Sequence, residues 1–212
     1  MRRTGVCTSN PTKETASKAT LHRLLRPALL AAALGITLPA NATDVAGVRF
    51  DDKASLAGSE LVLNGAALRT RFMLKIYAIG LYLPRSGNSA EAVMASSGPK
   101  RIQITTLREL GASEFADALV DGLKRNHSDA ELAKLQHRID DFRNAIIALK
   151  STPAGSQIRL EWLPGSGTRL SVGNEARGKD IPGEDFYRAL LRIWIGEKPV
   201  DQDLKNALLG KA

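Results

Sequence analysis

The sequence predicts an α+β domain, an antiparallel sheet covered on one side by a layer of helices. Strand-like alternation comes in two clusters, within residues 45–107 and 157–172. The longest helical pattern lies between them, and a helical pair closes the chain. That order, strands then helices then strands then helices, puts helices on one face of an antiparallel sheet.

Residues 45–50 and 60–63 read as short strands separated by a glycine-containing turn. The most β-like stretch follows, Arg69 to Leu83, closed by Pro84. Alternation there places Phe72, Leu74, Ile76, Ala78 and Tyr82 on a core-packing face. The opposite face, Arg71, Met73, Lys75, Tyr77, Ile79 and Leu81, is polar at one end and apolar at the other, which suits a partly covered groove. Gly80 marks a bend or a close approach to the backbone.

A short helix is expected at 89–95 and a strand at 101–107. Ser113 is then the expected cap of a helix whose Phe115, Leu119, Gly122 and Leu123 share a face. Ser128 and Glu131 form a capping box. Beyond it Leu132, Leu135, Ile139, Phe142, Ile146 and Leu149 make a heptad stripe, read either as packing within the domain or as a coiled-coil seam. Strands return at 157–163 and 168–172 around the turn Pro164-Gly165-Ser166-Gly167. A helix is expected at 184–195, and Asp201 caps a last short one ending near Leu209.

Ahead of this domain, Arg23 and Arg26 precede an uncharged stretch at 28–38, and Ala40-Asn41-Ala42 follows as a small-x-small triplet. This reads as a signal peptide over 1–42 with an extended polar n-region, cleaved near Ala42, followed by the domain at 43–212. Export to the periplasm or outside the cell is the expected location. The apolar run falls far short of the roughly 20 residues a spanning helix needs, so no stable membrane anchor is expected.

The chain carries a formal charge of +8, but the leader holds six basic residues and one acidic one. The remainder has 24 basic against 21 acidic residues, interspersed rather than clustered. Nucleic-acid binding needs clustered Lys and Arg and is not expected. The only cysteine, Cys7, belongs to the leader, so the domain has no disulfide, thiol chemistry or zinc-thiolate site.

Catalytic patterns are scarce. His127 and His137 fall on solvated positions, Gly165-Ser166-Gly167 lacks the setting of a nucleophile elbow, and Asp140-Asp141 diverge by about 100° on a helix. No metal, cofactor or catalytic residue is assigned. What remains is Arg69, Arg71, Lys75 and Tyr77. A guanidinium and a phenol beside apolar side chains make a receptor for a carboxylate with a hydrocarbon tail. On a straight strand residues 69 and 77 would lie about 26 Å apart. One ligand reaches both only if the chain bends or reverses between them.

Three stretches carry a family resemblance: Lys75-Ile76-Tyr77-Ala78-Ile79-Gly80-Leu81-Tyr82-Leu83; Arg108-Glu109-Leu110-Gly111-Ala112-Ser113-Glu114-Phe115; and Trp194-Ile195-Gly196-Glu197-Lys198-Pro199-Val200 with Asp203-Leu204-Lys205. Their order and spacing resemble the chalcone-isomerase family, most of all its exported bacterial branch, over residues 45–210. The resemblance implies an open-faced β-sandwich with a ligand cleft between sheet and helices. Of the five polar groups that the plant isomerases place in that cleft, the arginine corresponds to Arg69. The strand threonine falls on Tyr77, the helix tyrosine on Phe115, the asparagine on Gly122 and the late threonine on Ile193. Flavanone-forming chemistry needs those lost groups.

The arginine-plus-tyrosine pair instead resembles the fatty-acid-binding branch, with Arg69 and Tyr77 holding the carboxylate and Phe115, Gly122 and Ile193 lining the tail. A non-catalytic binder of a small amphipathic carboxylate is the expected function. An isomerase (intramolecular lyase) acting through Tyr77, and a partner-binding protein with a vestigial cleft, are the alternatives; oligomeric state is left open.

Overall fold

A computed structural model of the chain describes residues 42–211, and the leader reading lies outside them except for Ala42. Eleven strands and five helices occur among the described residues: β1 Ala42–Val45, β2 Val48–Asp51, β3 Lys53–Leu56, β4 Ser59–Arg71, β5 Leu74–Leu83, α1 Ala90–Ala95, β6 Lys100–Thr106, β7 Leu110–Gly111, α2 Ala112–Asn126, α3 Asp129–Ile147, β8 Ser151–Thr152, β9 Gln157–Leu163, β10 Gly167–Val172, β11 Glu175–Ala176, α4 Glu184–Ile195 and α5 Gln202–Leu208. Seven strands form one sheet in the order β11-β10-β9-β6-β5-β4-β3, antiparallel throughout.

The helices cover one face, as the order of elements predicts. Ile79, Leu81, Ile102, Ile104, Ile158 and Leu160 point into a core shared with α2, α3 and α4. The stripe of α3 is spent there: Leu135, Ile139, Phe142 and Ile146 are buried, and Phe142 meets the edge of Phe186 with ring centroids 5.7 Å apart. The seam is internal packing. The other face carries a smaller cluster in which the β1–β2 hairpin lays Phe50 over Leu61, Ala78 and Tyr82. Phe50 is what Gly80 makes room for, since a Cβ at 80 would sit 2.8 Å from its ring.

The main departure from expectation is the stretch 69–83. It is a hairpin, not one strand: β4 ends at Arg71, β5 starts at Leu74, and Phe72-Met73 make the two-residue turn. Both turn residues have positive φ, 49° and 63°, the signature of a type I′ turn, which Asn-Gly usually supplies. Phe72 and Leu74 are therefore exposed, not core.

Register shifts between Arg69/Thr70 make a bulge on β5 with Ile76 as the extra residue. A bulge lets two successive residues serve one face, so Ile76 joins Tyr77 on the helix side while Ala78 and Tyr82 face the smaller cluster under the β1–β2 hairpin. The second irregularity leaves Asn64 unpaired in the ladder. Its amide fastens the sheet to its surroundings, donating to Gly87 O at 2.9 Å and Leu208 O at 2.7 Å and accepting from Gly87 N at 2.7 Å.

Two caps differ in outcome. Ser128 and Glu131 make the expected capping box. Ser113 does not cap α2; Gly111 holds the cap position, because Ala112 N is already bonded to Lys150 O at 3.0 Å through the small β7–β8 ladder. The helix thus begins one residue before Ser113.

Candidate functional site

The hairpin brings the two leading candidates together. Arg69 on β4 and Tyr77 on β5 are direct cross-strand partners, so the reversal that one shared ligand requires is present. Both line a cleft of about 640 Å³ between the end of the sheet and helices α2 and α4. Its apolar wall includes Ile76, Leu110, Phe115, Leu119, Ile193 and Val200. Toward solvent stand Arg71, Arg108 and Arg125 against Glu109, Glu114 and Asp121, a formally balanced set.

At the inner end the polar groups are partly committed. Arg69 donates from Nη1 to Thr70 O at 2.8 Å and to Asp201 Oδ2 at 3.0 Å. Among the described residues its Nε and Nη2 have no partner, so three N–H donors are unspent. Asp201 serves twice: Oδ2 takes Arg69, and Oδ1 caps α5 by accepting from Asp203 N at 3.0 Å and Leu204 N at 3.1 Å. Tyr77 is 8% exposed, and its hydroxyl accepts from the buried Trp194 Nε1 at 3.1 Å. The Tyr77 proton has no acceptor among the described residues.

Burial pushes the Tyr77 phenol above its ordinary value of 10.0, and Asp201 adds to the rise. The Trp194 hydrogen bond and the Arg69 charge pull the other way without cancelling it. At neutral pH Tyr77 is therefore a neutral donor, not a phenolate. Two adjacent donors, one cationic, converge on the inner end of an apolar-walled cleft: this arrangement receives an anion's oxygens more readily than it removes a proton.

Four of the five residues singled out from sequence, Arg69, Tyr77, Phe115 and Ile193, line the cleft. Gly122 does not. Its missing side chain makes room for α4, since a Cβ there would lie 2.7 Å from Ile193 Cγ2. The glycine is a helix-packing contact and not lining. Lys75 is exposed on the hairpin and lies outside the lining. Among the described residues no cluster of His, Asp and Glu could hold a metal ion, and no helix is long and apolar enough to cross a membrane.

Sequence reading missed Trp194 and Asp201 as the partners of Tyr77 and Arg69. Both are contacts across more than 100 residues of chain, at separations of 117 and 132, and no local pattern encodes them. It also missed the outer wall of α2. There a signal existed, for Glu114, Ala118, Asp121 and Arg125 repeat at steps of four, three and four beside the buried stripe.

A family model described as chalcone isomerase-like matches residues 42–210. The chain belongs to the chalcone isomerase-like family. The crystal structure of an Arabidopsis thaliana fatty-acid binding protein is similar in fold, with a TM-score of 0.58 at 18% identity, covering 80% of this chain and 96% of that one. No curated protein sequence matches the chain. In this chalcone isomerase-like chain the cleft is walled by Phe115 and Ile193, with a guanidinium and a phenol at its inner end.

Proposed function

We propose that the chain is an exported, non-catalytic binding protein for a fatty acid or similar amphipathic carboxylate. The carboxylate is held by the free donors of Arg69 and the hydroxyl of Tyr77, and the tail lies against Phe115, Leu119, Ile193 and Val200. The observation that carries this reading is the cross-strand pairing of Arg69 with Tyr77 at the inner end of the cleft. A volume of about 640 Å³ falls within the ~300–1,000 Å³ usual for small-ligand sites. The fatty-acid binding protein of similar fold is a further support. Proton abstraction, which an isomerase would ask of Tyr77, is opposed by the burial that keeps its proton on.

Export rests on the basic, apolar and small-x-small succession at 23–42. Native mass spectrometry with lipid extraction tests the binding reading. A co-purifying fatty acid that is lost in Arg69→Ala is expected. Binding that Arg69→Ala leaves unchanged would remove the main support. N-terminal sequencing of the protein recovered from the periplasm or medium tests the export reading, with cleavage near Ala42 as the expected result.

A further inference from the structure

The described residues expose three large hydrophobic side chains, and they are consecutive: Phe72 at 84%, Met73 at 95% and Leu74 at 52%. They form the tip of the β4–β5 hairpin. Exposed Arg71 and Lys75 flank them. Neither has an ion pair among the described residues; the Arg71 guanidinium lies 5.2 Å from the centre of the Phe72 ring. Arg108 at the adjoining cleft mouth is exposed beside Glu109, so the cationic character belongs to the tip itself.

The backbone makes this presentation costly. Phe72 and Met73 both adopt left-handed φ, a region that side-chain sterics disfavour and that Asn-Gly would occupy easily. Strain of this kind, kept at an exposed apolar tip, points to a role for the side chains themselves. Core packing does not repay it, since Phe72 and Met73 project into water and, among the described residues, the Phe72 ring meets only the Arg71 guanidinium.

We propose that the Arg71–Lys75 tip docks the protein on an anionic lipid surface. Apolar side chains at the apex, flanked by two cations, match the layering of a bilayer interface, where acyl chains lie beneath negatively charged headgroups. A second copy of the chain is a poor occupant. Two turn residues and the first residue of β5 present far less than the roughly 800 Å² per partner of a stable protein interface. Because Arg71 belongs both to the tip and to the cleft lining, docking brings the cleft mouth to the lipid surface. The docking stands independently of what the cleft holds.

The test uses the full chain with Cys7→Ser and Met73→Cys, carrying an environment-sensitive fluorophore at position 73. Phosphatidylcholine vesicles containing phosphatidylglycerol are expected to blue-shift the probe, and phosphatidylcholine alone to leave it in water. In co-sedimentation, Phe72→Asn/Met73→Gly preserves the turn and removes two apolar anchors, each worth about ten-fold in partitioning. Its binding to anionic vesicles is expected to fall ten-fold or more. Arg71→Gln/Lys75→Gln is expected to lose about five-fold per charge on the same vesicles. A probe that stays in water while the chain sediments would assign membrane binding to another segment and overturn the proposal. So would equal binding by parent and Phe72→Asn/Met73→Gly, or self-association that this variant abolishes in a chain that ignores vesicles.

Discussion

Asp201 and a bound carboxylate compete for the same guanidinium, and replacing Asp201 by Asn isolates that competition. The Arg69–Asp201 contact is 3.0 Å long, with side chains 21% and 27% exposed. Two unit charges about 4 Å apart at an effective dielectric constant near 20 attract by roughly 4 kcal/mol. Partial exposure screens much of this, and fully solvent-exposed pairs contribute about 1 kcal/mol or less. Asp201 thus withholds on the order of 1 kcal/mol of Arg69's attraction from a ligand. Asn caps a helix about as well as Asp, so the start of α5 survives. Asp201→Asn is expected to bind a fatty acid about five-fold more tightly, at 1.4 kcal/mol per decade. Asp201→Ala should release Arg69 equally but lose about 1 kcal/mol of stability with its cap. Displacement of a fluorescent fatty acid reads the affinities, and thermal unfolding reads the fold. If Asp201→Asn binds no more tightly while unfolding like the parent, the carboxylate does not reach Arg69 and the polar end of the site lies elsewhere.

Other changes separate packing from binding. Tyr77→Phe leaves the buried Trp194 N–H without its acceptor and is expected to destabilise by about 1–3 kcal/mol, besides weakening fatty-acid binding, read by thermal unfolding and by ligand displacement. Gly122→Ala drives a methyl against Ile193 at about 1–3 kcal/mol, offset by about 1 kcal/mol of helix propensity. A lower melting temperature is expected, and an unchanged one would contradict the packing role. Hydrogen bonds from Arg169 and Arg138 hold the Asp180 and Asp185 carboxyls below their ordinary value of 3.8. Their contribution is complete above that value and is lost as pH falls through the depressed folded values. Asp180→Asn or Asp185→Asn should flatten the acid limb of melting temperature against pH and leave the neutral region's slope unchanged.

Where local pattern decides structure, the sequence was a sufficient guide. Helix α4 spans Glu184–Ile195 as read, and Asp201 caps α5 as read, because a periodic apolar face and a polar cap act within one or two turns. The tip at Phe72-Met73 hid the hairpin for the opposite reason. It lacks the Asn, Asp or Gly that normally announces positive φ, so two strands read as one long alternation. Losing the turn also hid the closeness of Arg69 and Tyr77, whose eight-residue separation becomes a cross-strand pairing only after the reversal. Gly122 failed differently. The family resemblance makes a missing side chain at this position look like open cleft, yet Ile193 fills the space. A residue's identity shows that a side chain is missing, and only the packing shows what occupies its place.

One hairpin carries both the polar end of the cleft and the exposed tip, and its register ties them. A slip of one residue would turn Tyr77 to the outer face and take it from Arg69. The two-residue turn and the Ile76 bulge fix that register, and Leu107 N, bonded to Ile76 O at 2.9 Å, holds the bulge from the neighbouring chain segment. Phe72→Asn/Met73→Gly keeps the turn length and suits its backbone, so the register is preserved. Asn and Gly tolerate the two left-handed positions, which cost other residues about 1–2 kcal/mol each, and should raise stability by roughly 2 kcal/mol. The same variant should retain fatty-acid affinity within about two-fold while losing the lipid surface, because neither side chain lines the cleft. A stabilised variant that also loses its ligand would mean that the strained turn, and not the register alone, shapes the inner end of the cleft.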